Sequence, residues 1–288
     1  MNESALLPNA SPASIERYRA ARSLADGCPP ELGREIALTG SASRGLADDD
    51  SDIEVIFWVD AIPAPDRRAG WLKEAGATDQ GEPHTTADGT IWEWSRYRGF
   101  WLETGWQSID QHQEALQAIL EDGLTDHRAL TLADAVVRAV PLRTAGMLAR
   151  WQHELAEYPD ALEGALIHAA SRRWAYALAY WALVRRNDRV AATERLLADV
   201  QSILRIVFAL NRVWEPAWKW TPSATRSLAI KPERLSERID QILALGDLDV
   251  SARLCAELAA DTLALVPGHI DVSAARAAID RSLRERAP

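Results

Sequence analysis

The apolar residues of this chain change their period once, and that change limits the folds open to it. Up to about residue 125, short apolar runs alternate with amphipathic stretches; beyond it, apolar residues recur only at helical spacing. Side chains swap faces at every residue of a strand but return to one face every three or four residues of a helix. The first part should therefore mix strands with helices, and the second should be helical throughout.

The punctuation supports this division. An amphipathic pattern opens at Ser11, runs to about Asp26 and stops at Gly27 and the Pro29-Pro30 pair. Ile36 to Leu38 and Ile53 to Val59 read as strands, with a short helix over 67–76. Thr90 to Gln107 reads as two strands turning near Arg98-Gly99, and Ser108-Ile109-Asp110-Gln111 has the form of a capping box, opening a helix to about Glu121. Helical patterns then cover 128–157, 160–186, 189–213, 231–245, 249–265 and 271–286. The expected fold is an α+β N-terminal domain over 1–125, a small mixed sheet with flanking helices, followed by an all-α helical bundle over 126–288.

Bulk composition narrows the function classes. A net charge of −10 argues against general electrostatic binding of nucleic acid. Cys28 and Cys255 stand far apart without a partner motif, which suits a reducing cytosol. The opening residues lack a basic segment with a long apolar core, so no signal peptide is expected, and no apolar run is long enough for a membrane span. A cytoplasmic location follows as an expectation. The six histidines are scattered without ligand spacing, so no zinc site is expected.

The chemistry is concentrated in "LTGSASRGLADDDSDIEVIFWV", residues 38–59. On a strand, Asp52 and Glu54 point to one face with Cα atoms roughly 6.5–7 Å apart. Ile53, Val55 and Phe57 take the opposite face, the natural core side. Two convergent carboxylates are what a hard divalent ion needs, and Mg²⁺ completes its shell with water and substrate phosphate. Upstream, Gly40 and Ser41 follow a strand; glycine lets backbone N–H groups approach a phosphate and the serine adds a hydroxyl. Arg44 and Gly45 continue the loop, and Arg44 joins Gly40 and Ser41 as a candidate nucleotide-binding residue. Asp48, Asp49 and Asp50 read as a solvated loop.

"GSASRG" followed six residues later by "DIE" resembles the signature of the polymerase-beta-like nucleotidyltransferase superfamily. The form with glutamate second is similar to antibiotic nucleotidyltransferases of the kanamycin type. The resemblance implies phosphate contacts from Gly40 and Ser41 and Mg²⁺ ligation by Asp52 and Glu54. It also implies a third carboxylate on a neighbouring strand. "GFWLETGWQS" places that acid at Glu103, with Glu93 in "IWEWS" as its competitor. The implied activity is transfer of a nucleoside monophosphate from an NTP, foremost ATP, to a hydroxyl of a small acceptor such as an aminoglycoside, which would confer antibiotic resistance. Relatives of this type form homodimers. The chain departs from the type in one respect: no acid follows Glu163 on the 160–186 helix, where the resemblance would put the general base. Glu103 is the candidate that remains for that role.

One further stretch bears on the site. In "FALNRVWEPAWKW", Phe208 to Trp220, Lys219 lies between two tryptophans and could meet a triphosphate, with Asn211 and Arg212 upstream. The alternative is that these tryptophans only pack the bundle against the first domain. Two other readings stay open on the sequence: nucleotidyl transfer to a protein or tRNA, as in toxin–antitoxin pairs, and a nucleotide-binding regulator that has lost catalysis.

Overall fold

The computed structural model describes residues 8–121, 123, 125–176 and 183–284. Residues 177–182, within the expected 160–186 helix, lie outside them. The chain divides into two compact units, Met1–Asp122 with Leu132–Glu157, and Gly123–Thr131 with Tyr158–Pro288.

The first unit is a mixed six-stranded sheet with helices on both faces. In chain order its elements are α1 (Pro12–Asp26), β1 (Glu35–Thr39), α2 (Gly40–Ser43), β2 (Ile53–Val59), α3 (Pro65–Glu74), β3 (His84–Thr85), β4 (Ile91–Tyr97), β5 (Phe100–Ser108) and α4 (Ile109–Leu120). Then come α5 (His127–Arg138), whose first turn belongs to the second unit, β6 (Val140–Arg143) and α6 (Met147–Glu154). The strand order is β3-β4-β5-β2-β1-β6. Only β2 and β5 run parallel; every other neighbouring pair is antiparallel.

Local chemistry accounts for the boundaries. Ser11 caps α1, its hydroxyl accepting from the Ser14 amide at 3.0 Å, and Ser108 caps α4 through the Gln111 amide at 3.4 Å. Between β4 and β5, Arg98 at φ 51° and Gly99 at φ 89° form a two-residue turn. Positive φ at both central residues is the geometry whose twist matches a hairpin. Strand β6 corrects the reading of 128–157 as wholly helical. Val140 and Leu142 are buried among the sheet residues while Pro141 is exposed, a period-2 pattern in a four-residue strand. A window tuned to helical period does not see so short an alternation.

One sheet face carries Ile36, Leu38, Ile53, Val55, Phe57, Leu102 and Trp106, all with no exposed surface, packed under Leu24 of α1 and Trp71 and Leu72 of α3. Phe57 stacks on Trp106 at 4.4 Å between ring centres and meets Trp71 edge-on at 5.4 Å. On the opposite face, the buried aromatic packing of the described residues lies at one end. There Trp58 packs against His112 of α4 and Trp151 of α6, leaving the N-terminal end of β2 open.

The second unit is helical. Helices α7 (Asp160–Ser171), α8 (Arg189–Leu210), α9 (Leu235–Leu243), α10 (Leu248–Ala264) and α11 (Ser273–Arg284) pack on one another, with α8 in contact with α7, α9 and α10. Asp188 and Asp247 cap α8 and α10. A mixed sheet with flanking helices followed by a helical region is the fold class read from the period change. Among the described residues no helix is long and apolar enough to cross a membrane.

Candidate active site

The pairing register builds the acidic face. In β2, Ile53 and Val55 are fully buried while Glu54 between them is half-buried on the other side, with Asp52 immediately before the strand. On one flank Glu54 pairs with Thr39 of β1, on the other with Glu103 of β5. Paired residues of neighbouring strands point the same way, with backbones about 4.8 Å apart. Glu54 and Glu103 therefore stand side by side on the open end of the sheet. Glu103 in turn pairs with Trp94 of β4. A cavity of about 310 Å³ opens on this face, lined by Asp50, Asp52, Trp94, Trp101, Leu102 and Glu103.

Glu93 is placed elsewhere. It pairs with Thr104, so it points to the core face, one residue out of phase with Glu103. Its carboxylate accepts from Arg68 of α3 at 2.8 and 3.0 Å and from the Trp106 indole at 3.0 Å. Arg68 is 2% exposed, so this is a buried ion pair and not a charge on an exposed hairpin face.

Gly40 sits against the acids. It has φ 68°, a backbone region that favours glycine, and a Cβ there would overlap the Glu54 carboxylate, standing 3.0 Å even from its farther oxygen. The turn thus brings bare backbone up to Glu54, and it continues as the single helical turn α2. Ser41, 8% exposed, holds a buried Oγ that has no hydrogen-bond partner among the described residues. A buried hydroxyl of this kind ordinarily finds a partner. Arg44, next in the loop, is turned to Asp134 of α5 in a buried ion pair.

Residues that the sequence did not connect with this loop hold it in place. Arg17 of α1 is 2% exposed and donates to the carbonyls of Ser51 at 2.7 Å and Asp49 at 2.9 Å, anchoring the segment that delivers Asp52. Ser11 donates to the Ala47 carbonyl at 2.6 Å and Ser14 accepts from the Ala47 amide at 2.9 Å. Asp48, Asp49 and Asp50 are exposed. On the far rim Trp94 and Trp101 are 42% and 43% exposed, edge to face at 5.3 Å, with the Arg96 guanidinium 3.7 Å over Trp101. Large exposed indoles at a cavity mouth are the signal that a search for carboxylates passes over.

The donor set suits a hard divalent ion, since all three acids offer oxygen. Among the described residues no three His, Cys, Asp or Glu side chains converge closely enough to hold an ion alone. That is compatible with Mg²⁺, which is ordinarily held by one or two carboxylates plus water and substrate phosphates and not by a dedicated protein cage.

Lys219 belongs to the helical unit, with its Nζ 5.0 Å from the Trp220 ring centre. In the same segment Asn211 bonds the backbone of Val207, Ala229 and Ile230, and Arg212 donates to Asp160 at 2.6 Å. Trp214 packs on Tyr158 and Trp218 stacks on His127, so both have packing partners within their own unit.

Residues 125–221 match a family described as a domain of unknown function, DUF4037. No curated protein matches the chain. Among solved structures, a nucleotidyltransferase-like protein from Exiguobacterium sibiricum 255-15 is similar over 94% of this chain and 80% of its own, at 13% identity and a TM-score of 0.41.

Proposed function

We propose that the protein is a Mg²⁺-dependent nucleotidyltransferase that moves a nucleoside monophosphate from an NTP, with ATP the first candidate, to a hydroxyl of a small acceptor. The observation that carries this reading is the β2–β5 register, which sets Glu103 beside Glu54 on the face that Asp52 enters and Gly40 abuts. Asp52, Glu54 and Glu103 are the residues that would hold the ion. What such an ion supplies is neutralisation of the triphosphate and of the departing pyrophosphate.

The chain's own groups account for the rest. Backbone N–H groups of the 40–43 turn and the Ser41 hydroxyl take the phosphate oxygens. Arg44, tied to Asp134, borders that turn and is a further candidate for the phosphates. In the reaction the acceptor oxygen bonds to the α-phosphorus, the bond from that phosphorus to the pyrophosphate oxygen breaks, and pyrophosphate leaves with the electron pair. The hydroxyl proton goes to a carboxylate, and Glu103 is the candidate base. Indoles and acids lining one cavity suit an acceptor with amines and an apolar ring face, which is how an aminoglycoside-like antibiotic would be taken.

Purified protein incubated with labelled ATP or GTP, Mg²⁺ and a panel of aminocyclitol, lincosamide, protein and tRNA acceptors should release pyrophosphate with a small-molecule acceptor. Asp52→Asn should abolish that release. Absence of NTP binding, together with an unaltered Asp52→Asn variant, would refute the proposal.

A further inference from the structure

The helical unit contains a cavity of about 330 Å³ whose lining includes His127, Arg173, Gln201, Arg205 and Trp218, none of which has a part in the proposed reaction. Its size falls within the usual range of small-ligand pockets, about 300–1,000 Å³. Two sunken carboxylates organise the cations around it. Asp199, 6% exposed, accepts from Nε of Arg173 at 2.8 Å and is shared with Arg195. Glu215, 2% exposed, accepts from Nε and Nη2 of Arg205 at 2.8 and 3.2 Å and from Nδ1 of His127 at 2.6 Å.

The charges do not balance. Arg173, Arg195 and Arg205 stand against Asp199 and Glu215, which leaves one positive charge over before His127 is considered. That surplus occurs in a chain whose net charge is −10. Each guanidinium is held by its Nε side, and among the described residues the Nη atoms of Arg173 and Nη1 of Arg205 make no hydrogen bond. A guanidinium has five N–H donors, so each arginine keeps donors in reserve while the buried acid fixes its plane. Gln201 adds an amide to the lining, and the parallel stack of His127 on Trp218, 4.2 Å between ring centres, makes one wall flat.

We propose that this cavity binds a phosphate group carried by a small molecule. Arg173 and Arg205 clamp the phosphate, Gln201 donates to it, and the Trp218–His127 stack receives the body of the ligand. Phosphate fits better than carboxylate because the two guanidiniums are anchored on different acids. They present donors from two sides, which a tetrahedral oxyanion uses, whereas a planar carboxylate is saturated by one fork.

The test is calorimetric titration of the full chain with inorganic phosphate and with glycerol 2-phosphate at low ionic strength. One saturable site is expected for both. Gln201→Glu puts a negative charge at the cavity without touching an ion pair. It should weaken binding by roughly tenfold or more, since juxtaposed like charges cost over 1 kcal/mol. Its unfolding midpoint should stay at the wild-type value, which separates lost binding from lost folding. Arg173→Gln should weaken binding similarly, and the parallel loss in the two variants assigns the binding to this cavity. The inference is overturned if no saturable binding occurs, if both cavity variants bind as wild type, or if succinate competes as well as the phosphomonoester.

Discussion

Replacing Gly40 by alanine separates the acidic face as a working site from the acidic face as solvated surface. At φ 68° the new residue is held in the left-handed region, which costs about 1–2 kcal/mol for an L-residue. The added methyl also overlaps the Glu54 carboxylate. That carboxylate is the far end of a flexible side chain, so it yields by leaving its rotamer, at a cost of about 0.5–1.5 kcal/mol. Together these give a stability loss of about 1.5–3.5 kcal/mol, read by urea unfolding. The loss of turnover should be far larger than that strain suggests, because displacing a reacting or ligating group by 1 Å costs on the order of 10²-fold. Gly76→Ala is the matched control: φ is 93° and nothing lies within 4 Å of its added methyl. It should show the backbone strain alone, about 1–2 kcal/mol, with pyrophosphate release unchanged. If Gly40→Ala turns over within twofold of wild type while Asp52→Asn is silent, the juxtaposition of turn and carboxylate has no part in the chemistry.

The two competing glutamates should respond in opposite ways. Glu93→Gln leaves Arg68 buried without its counter-charge and should cost about 3–5 kcal/mol of stability. Glu103→Gln, on the open face, should abolish turnover without the stability loss of Glu93→Gln; unfolding curves and an NTP assay on both variants decide this. Acid should weaken the fold through His112. Burial pushes its pKa down from 6.5 to about 3, against a smaller opposing pull from Asp88. The unfolded chain therefore takes up the proton first, so stability present above pH 6.5 is lost progressively as pH falls towards 3, by up to about 5 kcal/mol. His112→Gln should flatten that acid limb in chemical unfolding between pH 7 and 4, and equal slopes in variant and wild type would remove His112 as the cause.

Much of the fold was legible because period and punctuation are local properties. The helix opened by Ser11, the strand from Ile53, the hairpin turning at Arg98-Gly99 and the helix opened by Ser108 each follow from residues within a few positions of one another. The same locality put Asp52 and Glu54 on one side of a strand and Ile53, Val55 and Phe57 on the other. It failed at Val140–Arg143, where four residues are too few to outvote the helices around them.

Which acid stands beside Glu54 was not a local question. Glu93 and Glu103 lie on adjoining strands of one hairpin, and both read as acids set among aromatic residues. Strand pairing decided between them, because a shift of one residue in register turns a side chain to the opposite face. Glu103 pairs with Glu54, while Glu93 pairs with Thr104 and is taken up by Arg68. Arg17 and the Trp94–Trp101 rim likewise have a bearing on the site only through contacts made across the sheet unit. The sequence by itself determined which residues carry charge, which face each strand buries and where each element begins. Only the tertiary structure decided which of those charges meet, because register and packing join residues that no local spacing connects.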